Sequence, residues 1–312
     1  MSWKYWSGKK KELPIFTEVA SPPNMKMRAV TWSSDLEIFC MVGLENGNSI
    51  NCAVSSDGIS WTTGNIGQNN NWSAVCWSEF LQLFVATSIT GTNRVATSTD
   101  GINWTLRTAS NNLDWRKIIS IENLNLLLAV RQAASSSALR FMTSPDGINW
   151  TSRNANIGFN STDVDYNANL GIVVCVGTSN VIYSSDAITW SSTSFAGNNQ
   201  NVSLFSSKTE DLFLSGKQSG SGVDRAMSSD DGLNWAGMNV SAGSNFFNQH
   251  EKSGFYVSLA INGTEIRKSL DAVTWDFHQD LAVNGENSKM NMAYGQLIQK
   301  LLLIAVDRLY IG

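Results

Sequence analysis

Six aspartates recur in one local frame along this chain. The copies read SSDGISW ending at Trp61, STDGINW at Trp104, SPDGINW at Trp150, SSDAITW at Trp190, SSDDGLNW at Trp235 and SLDAVTW at Trp275. Carboxylates repeated this regularly offer two chemistries. Gathered together they would hold a cation such as calcium; kept apart, each accepts hydrogen bonds from backbone N–H groups of its own tight turn. One carboxylate per copy cannot supply the six or more oxygens that calcium takes. Asp57, Asp100, Asp146, Asp186, Asp230 and Asp271 are therefore expected to hold turns, with no metal and no cofactor. Glycine at the corner permits positive φ. The rings of Trp61, Trp104, Trp150, Trp190, Trp235 and Trp275 are expected to drop between neighbouring sheets, where they bury large apolar area.

A second set of residues falls at a fixed offset. Ten positions before each motif tryptophan lie Asn51, Arg94, Arg140, Asn180, Arg225 and Glu265. If the chain is joined head to tail, with Trp6 in place of a seventh motif tryptophan, Arg308 takes the same position. Arg94, Arg140, Arg225 and Arg308 then stand where a loop meets a third strand. Guanidinium groups there suit acidic glycans or the carboxylates of a partner; a repeated ion pair or a bond to a loop carbonyl is the alternative. Trp72 and Trp115 open the innermost strands of adjacent units. Exposed, they would stack on sugar rings; otherwise they pack near the axis. The loops on that face are rich in Asn, Gly and Ser, whose amides and hydroxyls match sugar hydroxyls but are also good turn formers.

Other chemistry is thinly represented. His250 and His278 suggest neither a metal site nor a Ser-His arrangement. The four cysteines contain no CxxC pair. Cys40 and Cys52 are symmetric about the turn near Glu45-Asn46-Gly47 and are candidates for a cross-strand disulfide, with reduced thiols as the default. A glycosidase needs two close carboxylates, and nothing in the sequence selects a pair such as Glu45 with Asp165. No catalytic residue is assigned, and the chain is expected not to be an enzyme.

The elements that position these residues follow from the period. The motif tryptophans are 43, 46, 40, 45 and 40 residues apart, which marks one supersecondary unit copied many times. Each copy reads as four short strands: Trp72–Trp77, a polar turn, Leu81–Ala86, a Gly/Asn/Ser loop, Arg94–Thr97, the aspartate turn, and a strand from Ile102. Four strands per period of this length is the signature of a β-propeller blade. The chain is therefore all-β: a seven-bladed β-propeller of four-stranded antiparallel blades, one domain over 1–312. The blades run approximately over 26–66, 71–110, 114–157, 162–196, 201–241, 246–281, and 289–312 plus 1–10. Trp3–Ser7 would supply the missing outer strand of the last set, so that pairing of the N- and C-terminal strands closes the ring and removes open edges. Six blades is the alternative.

The motif resembles the Asp box of BNR (sialidase-like) propellers, whose usual form is Ser-x-Asp-x-Gly-x-x-Trp. In that form only the fifth copy fits in full, through Ser228, Asp230, Gly232 and Trp235; the other copies lack one residue between Asp and Gly, and Ala187 and Ala272 replace the glycine. The stretches NNNWSAVCWSEFLQLFVATSITGTNRVATSTDGINWT and FMTSPDGINWTSRNA are similar to tandem repeats in proteins of large DNA viruses and tailed phages. The sialidase resemblance would imply an Arg-Ile-Pro motif and a Tyr–Glu pair. None of the four prolines follows Arg-Ile, and no such pair can be placed. What the resemblance implies instead is a virion or phage surface propeller, a receptor-binding or decoration module. Its partners would be other virion proteins or a host surface glycan or receptor. A protein–protein scaffold or assembly factor is the first alternative and a glycoside hydrolase the second. A net charge of −4 with 15% charged residues gives no electrostatic case for nucleic acid. No apolar run approaches the roughly 20 residues that span a bilayer, and the first residues lack the apolar core of a signal peptide. Synthesis in the cytoplasm and a final place on a virion surface are expected.

Overall fold

The computed structural model describes residues 15–311 apart from the segments 23–24, 46–49, 132–138, 156, 158–160, 178–179, 195–200, 208–209, 218–223, 240–245, 253–254, 261–264, 270–275, 281–290, 296–299 and 306–307. Its strands assemble into seven four-stranded antiparallel sheets. Strand β1 (Thr17–Val19) belongs to the last of them. The first sheet joins β2 (Met25–Ser33), β3 (Ile38–Glu45), β4 (Cys52–Ser55) and β5 (Thr62–Gly64), and the second joins β6 (Trp72–Ser78), β7 (Leu83–Ser88), β8 (Val95–Ser98) and β9 (Thr105–Arg107). The third joins β10 (Trp115–Ile121), β11 (Leu126–Arg131), β12 (Leu139–Ser144) and β13 (Thr151–Asn154), with a 3₁₀ turn at Glu122–Leu124. The fourth joins β14 (Ser161–Asn167), β15 (Ile172–Gly177), β16 (Asn180–Ser184) and β17 (Ser191–Ser194). The fifth joins β18 (Asn201–Ser206), β19 (Phe213–Lys217), β20 (Asp224–Ser229) and β21 (Ala236–Asn239). The sixth joins β22 (Phe246–Lys252), β23 (Phe255–Ala260), β24 (Glu265–Ser269) and β25 (Asp276–Asp280). The seventh runs β26 (Asn291–Gly295), β27 (Lys300–Ala305), β28 (Arg308–Ile311) and then β1.

The first strands of these sheets neighbour one another in the order β2, β6, β10, β14, β18, β22, β26 and back to β2. Each sheet is thus covered on both faces, which explains why the second strands of the first, third and fourth sheets are near-continuous apolar runs rather than alternating ones. Along β3 the pleat sends Phe39 and Met41 one way, to Leu302 and Leu309 of the seventh sheet, and Cys40 and Val42 the other way, to the second sheet. Along β15, Val173 and Cys175 pack on the third sheet and Val174 and Val176 on the fifth. The period-2 geometry of a strand divides one apolar run between two interfaces.

Polar bonds tie successive hairpin turns together around one end. The Trp77 indole donates to Asp35, and the N–H groups of Glu79 and Phe80 donate to the two oxygens of Glu122. Asn167 donates to the carbonyl of Glu210, whose carboxylate accepts the Tyr256 hydroxyl.

The closing strand differs from expectation. Trp3–Ser7 lies outside the described residues, and Thr17–Val19 takes the outer position beside β28, with Thr17 opposite Ile311 and Val19 opposite Leu309. Phe16, 2% exposed, anchors this strand by exchanging two hydrogen bonds with the Gln279 side chain of the sixth sheet. Among the described residues no helix is long and apolar enough to cross a membrane.

Candidate functional site

The aspartate turns share a serine–aspartate construction in the five described copies, and the four with a corner glycine add its N–H to the serine. In the first, Ser55 Oγ donates to Asp57 and accepts the Gly58 N–H, while Asp57 Oδ1 accepts the N–H groups of Ile59 and Ser60 at 2.8 Å each. Those Ser60 and Ile59 donors, against a smaller opposing effect of burial, hold the Asp57 carboxyl at about 2. Gly58, Gly101, Gly147 and Gly232 have φ between +72° and +76°, and Ala187 takes the same corner at +57°. In the fifth copy the frame shifts by one residue: Ser229 bonds to Asp231 and Gly232, and Asp231 accepts from Leu233 and Asn234. Asp231 rather than Asp230 therefore holds that turn, and the fifth copy has the same Ser-x-Asp-Gly spacing as the first three. The turn carboxylates serve their own backbones and belong to separate sheets. Asp271 and Trp275 lie outside the described residues.

The motif tryptophans split by partner. Trp104, Trp150 and Trp235 donate to the carbonyl of their own turn glycine. Trp190, beside Ala187, stacks on Phe141 of the preceding sheet at 4.4 Å. Trp61 packs with the cluster shared by the first and seventh sheets.

The arginines at the fixed offset do not form one surface. Arg94 turns onto its own loop, donating to the carbonyls of Gly91 and Ile89. Arg140 is 2% exposed; burial, then the neighbouring Arg131, lower its pKa. Arg308 pairs with Glu18 across the closing strands at 2.9 Å, both groups solvent-exposed. Arg140 and Arg225 stand at register shifts between the third and fourth strands of their sheets, which accounts for their recurrence; the Arg225 side chain is outside the described residues. Trp72 and Trp115 are fully buried, each donating its indole N–H to a backbone carbonyl four residues back. They are packing residues, and neither ring is available to a sugar.

Cys40 and Cys52 are free, as are Cys76 and Cys175, and all four are buried. The register sets Cys40 opposite Val54 and Cys52 opposite Val42, so the two thiols are not cross-strand partners. Burial raises all four thiol pKa values, that of Cys52 to about 12. His278 packs edge-on against Phe16. Among the described residues no three His, Cys, Asp or Glu side chains gather in a metal-holding group.

The strongest concentration of charge was not visible in the sequence. Six of the innermost strands carry a β-bulge near their start, which removes Arg28, Ser73, Arg116, Thr162, Val202 and Asn248 from the ladder. A bulge leaves its extra residue unpaired and re-aims the side chain. Ser73 and Thr162 use their hydroxyls to donate back to carbonyls of the neighbouring strand, Thr87 and Val176. Arg28 and Arg116 stand at the equivalent positions of the first and third sheets. Around Arg116 lie Asp114, 3.5 Å from it and 3.9 Å from Arg131, and its chain neighbour Lys117, 3.0 Å from Asp163. Lys117 keeps 36% of its side chain accessible beside Asp163. Burial alone would lower its pKa; Asp163 and Asp165 outweigh burial and raise it. The same aspartates join sheets: Asp163 accepts the Leu204 N–H and Asp165 the Ser206 N–H, satisfying donors on the free edge of β18. Aligning the copies on the first strand rather than on the motif tryptophan would have placed Arg28, Ser73, Arg116 and Thr162 in one column.

Set against protein-family models and curated proteins, the sequence matches none. Similarity is structural. A virginiamycin B lyase from Staphylococcus aureus superposes with a TM-score of 0.75 at 7% identity, over 95% of this chain and 97% of that one. YCF48 from Cyanidioschyzon merolae gives 0.65 at 14%, over 95% and 97%. The β-propeller domain of Cps50 (Swd1) from Myceliophteria thermophila gives 0.66 at 10%, over 96% and 99%. At such identities the likeness establishes a β-propeller fold and nothing of its chemistry.

Proposed function

We propose that the seven sheets are the blades of one closed propeller and that the chain is a non-catalytic scaffold, docking a protein partner over the entry ends of its innermost strands. The observation that carries this is the mixed-charge cluster of Asp114, Arg116, Lys117, Arg131, Asp163 and Asp165 on the third and fourth sheets, with Arg28 at the position of the first sheet equivalent to Arg116. Interleaved charges of both signs on a rigid rim select a partner by complementary charge rather than by one small pocket. The aspartates there are committed to backbone donors of the next sheet and to Lys117, which suits a binding rim better than acid–base catalysis.

Glycan attachment has less support, because Trp72 and Trp115 are buried and Arg94 is bound to its own loop. The resemblance of the second and third copies to viral and phage repeats supplies the setting we favour, a particle surface on which such a module decorates or links other components. The test is an array carrying acidic, basic and neutral peptides beside a panel of glycans, probed with the protein clustered on beads in moderate salt. Selective peptide binding is expected. Selective glycan binding, or no peptide binding of any kind, would overturn the scaffold proposal.

A further inference from the structure

The innermost-strand bulges are one structural position sampled six times, and the described copies fill it in two ways. In the second and fourth sheets a hydroxyl closes the position by donating to the adjacent strand. Ser73 also donates to the Trp115 carbonyl at 2.6 Å, joining the second sheet to the third beside Arg116. The fold thus needs no cation at this position, which Val202 and Asn248 occupy in the fifth and sixth sheets. In the first and third sheets it holds a guanidinium instead. Arg116 places Nε 3.5 Å from Asp114 Oδ2 and keeps 32% of its side chain accessible, and Arg28 is half-buried with its Nε lacking a hydrogen-bond partner among the described residues. Both arginines thus keep side-chain surface open to solvent, and the same cation at both equivalent sites points to an outside acceptor.

We infer that Arg28 and Arg116, on either side of Ser73, form a receptor for carboxylate groups of an acidic polypeptide segment, an assignment that rests on the scaffold proposal above and names its partner's chemistry. Guanidinium forks bind carboxylates in a bidentate manner. Arg116 has Asp114 beside it at 3.5 Å, and that carboxylate is shared with Arg131; Arg28 has no ion pair among the described residues. The acidic neighbours Asp114 and Asp163 count against a dense polyanion such as nucleic acid, which would meet carboxylates at every step along the rim. A polypeptide can space its carboxylates so that each meets an arginine and none meets an aspartate.

The test uses a fluorescein-labelled, glutamate-rich peptide, its glutamine counterpart and a lysine-rich peptide, with binding followed by anisotropy at low and high salt. The double variant Arg28→Ser/Arg116→Ser carries at both sites the residue that the second sheet already uses there, so its fold is expected to survive; circular dichroism checks this. Loss of about tenfold or more in affinity for the glutamate peptide is expected, because each arginine contributes charge-assisted bonds. Arg94→Ser should bind as wild type does. If the double variant does not fold, each single variant must show a smaller loss in the same direction. Equal binding of the glutamate and glutamine peptides, or unchanged affinity in the arginine variants, overturns the inference. A lysine-rich or neutral peptide bound in place of the acidic one would overturn it while leaving the scaffold proposal standing. Binding of none of the three peptides would bring down both.

Discussion

Alanine in place of glycine at two of the aspartate turns separates two costs that are usually confounded. Gly101 and Gly147 share a motif and nearly a backbone conformation, with φ of +76° and +72°. A side-chain carbon added at Gly101 would lie 2.6 Å from Val54 Cγ1 and 3.1 Å from Cys40 Sγ, whereas at Gly147 the nearest atom is Thr97 Cγ2 at 3.4 Å, an ordinary contact. The conformational cost is the same in both: about 1–2 kcal/mol for an L-residue in the left-handed region, offset by about 0.4–1 kcal/mol from the stiffer unfolded chain and by up to about 0.8 kcal/mol for the buried methyl. Gly147→Ala should therefore change stability by less than about 1 kcal/mol. Gly101→Ala adds overpacking of about 1–3 kcal/mol, because the β-branched Val54 is stiff at χ1 and cannot swing aside. The fourth copy shows that alanine is tolerated where room exists: Ala187 occupies the corner at +57° and is fully buried. Urea unfolding followed by tryptophan fluorescence measures the difference, provided the slope is unchanged between variants. Equal losses in the two variants would refute the steric account and leave φ alone as the determinant.

Three further outcomes are expected. Asp57 has a carboxyl pKa lowered to about 2 by turn N–H donors. A lowered folded-state value means that its contribution is complete above the unfolded carboxylate range near 4 and is lost as pH falls toward 2. The stability gap between wild type and Asp57→Asn should close over that window and stay constant from pH 5 to 7, as read from thermal midpoints. Asp163 and Lys117 should be coupled: Asp163→Ala leaves the Leu204 N–H without its partner and Lys117 with Asp165 alone, so a double-mutant cycle with Lys117→Met should give an interaction of about 0.5–3 kcal/mol, and strict additivity would refute the pairing. The four cysteines should resist a thiol reagent at pH 8 in the folded protein and react together on unfolding, since burial keeps them protonated and inaccessible; rapid labelling of any one would contradict the packing of the first, second or fourth sheet.

How much of this was legible in the residues depended on whether a side chain or the backbone carried the signal. The 43, 46, 40, 45 and 40 spacing of tryptophans announced repeated four-stranded units because a large ring is needed at the same seam each time. The closing strand was not legible. Thr17–Val19 is three residues long, too short for any periodicity, while Trp6-Ser7 mimicked the end of a motif without the register that pairs Glu18 with Tyr310. The fifth turn is ambiguous in sequence because Ser228-Ser229-Asp230-Asp231 fits two alignments, and the bonds of Ser229 and Asp231 distinguish them. The arginines at Arg28 and Arg116 were missed for a related reason. A bulge is a property of two strands in register, so nothing in either strand alone marks the residue it expels. Burial of Trp72 and Trp115 likewise depends on what the adjacent sheet brings, here Val42 and Cys52 of the first sheet in the cluster of the one and Ala74 and Val95 of the second in the cluster of the other.

The pairing of β1 with β28 carries a consequence for how the molecule comes into being. Glu18 and Arg308, which meet across that seam, are 290 residues apart. A ribosome adding roughly 5–20 residues per second leaves the first of them waiting for roughly 15–60 seconds before the second emerges. Throughout that interval the first sheet lacks the neighbour that covers Phe39 and Met41, and Thr17–Val19 has no ladder to join. Sheets two to six can condense in order as they appear, each on its predecessor, but the first must stay half-covered until the last is made. The nascent chain is therefore most exposed to mispairing at its first sheet until the seventh is made.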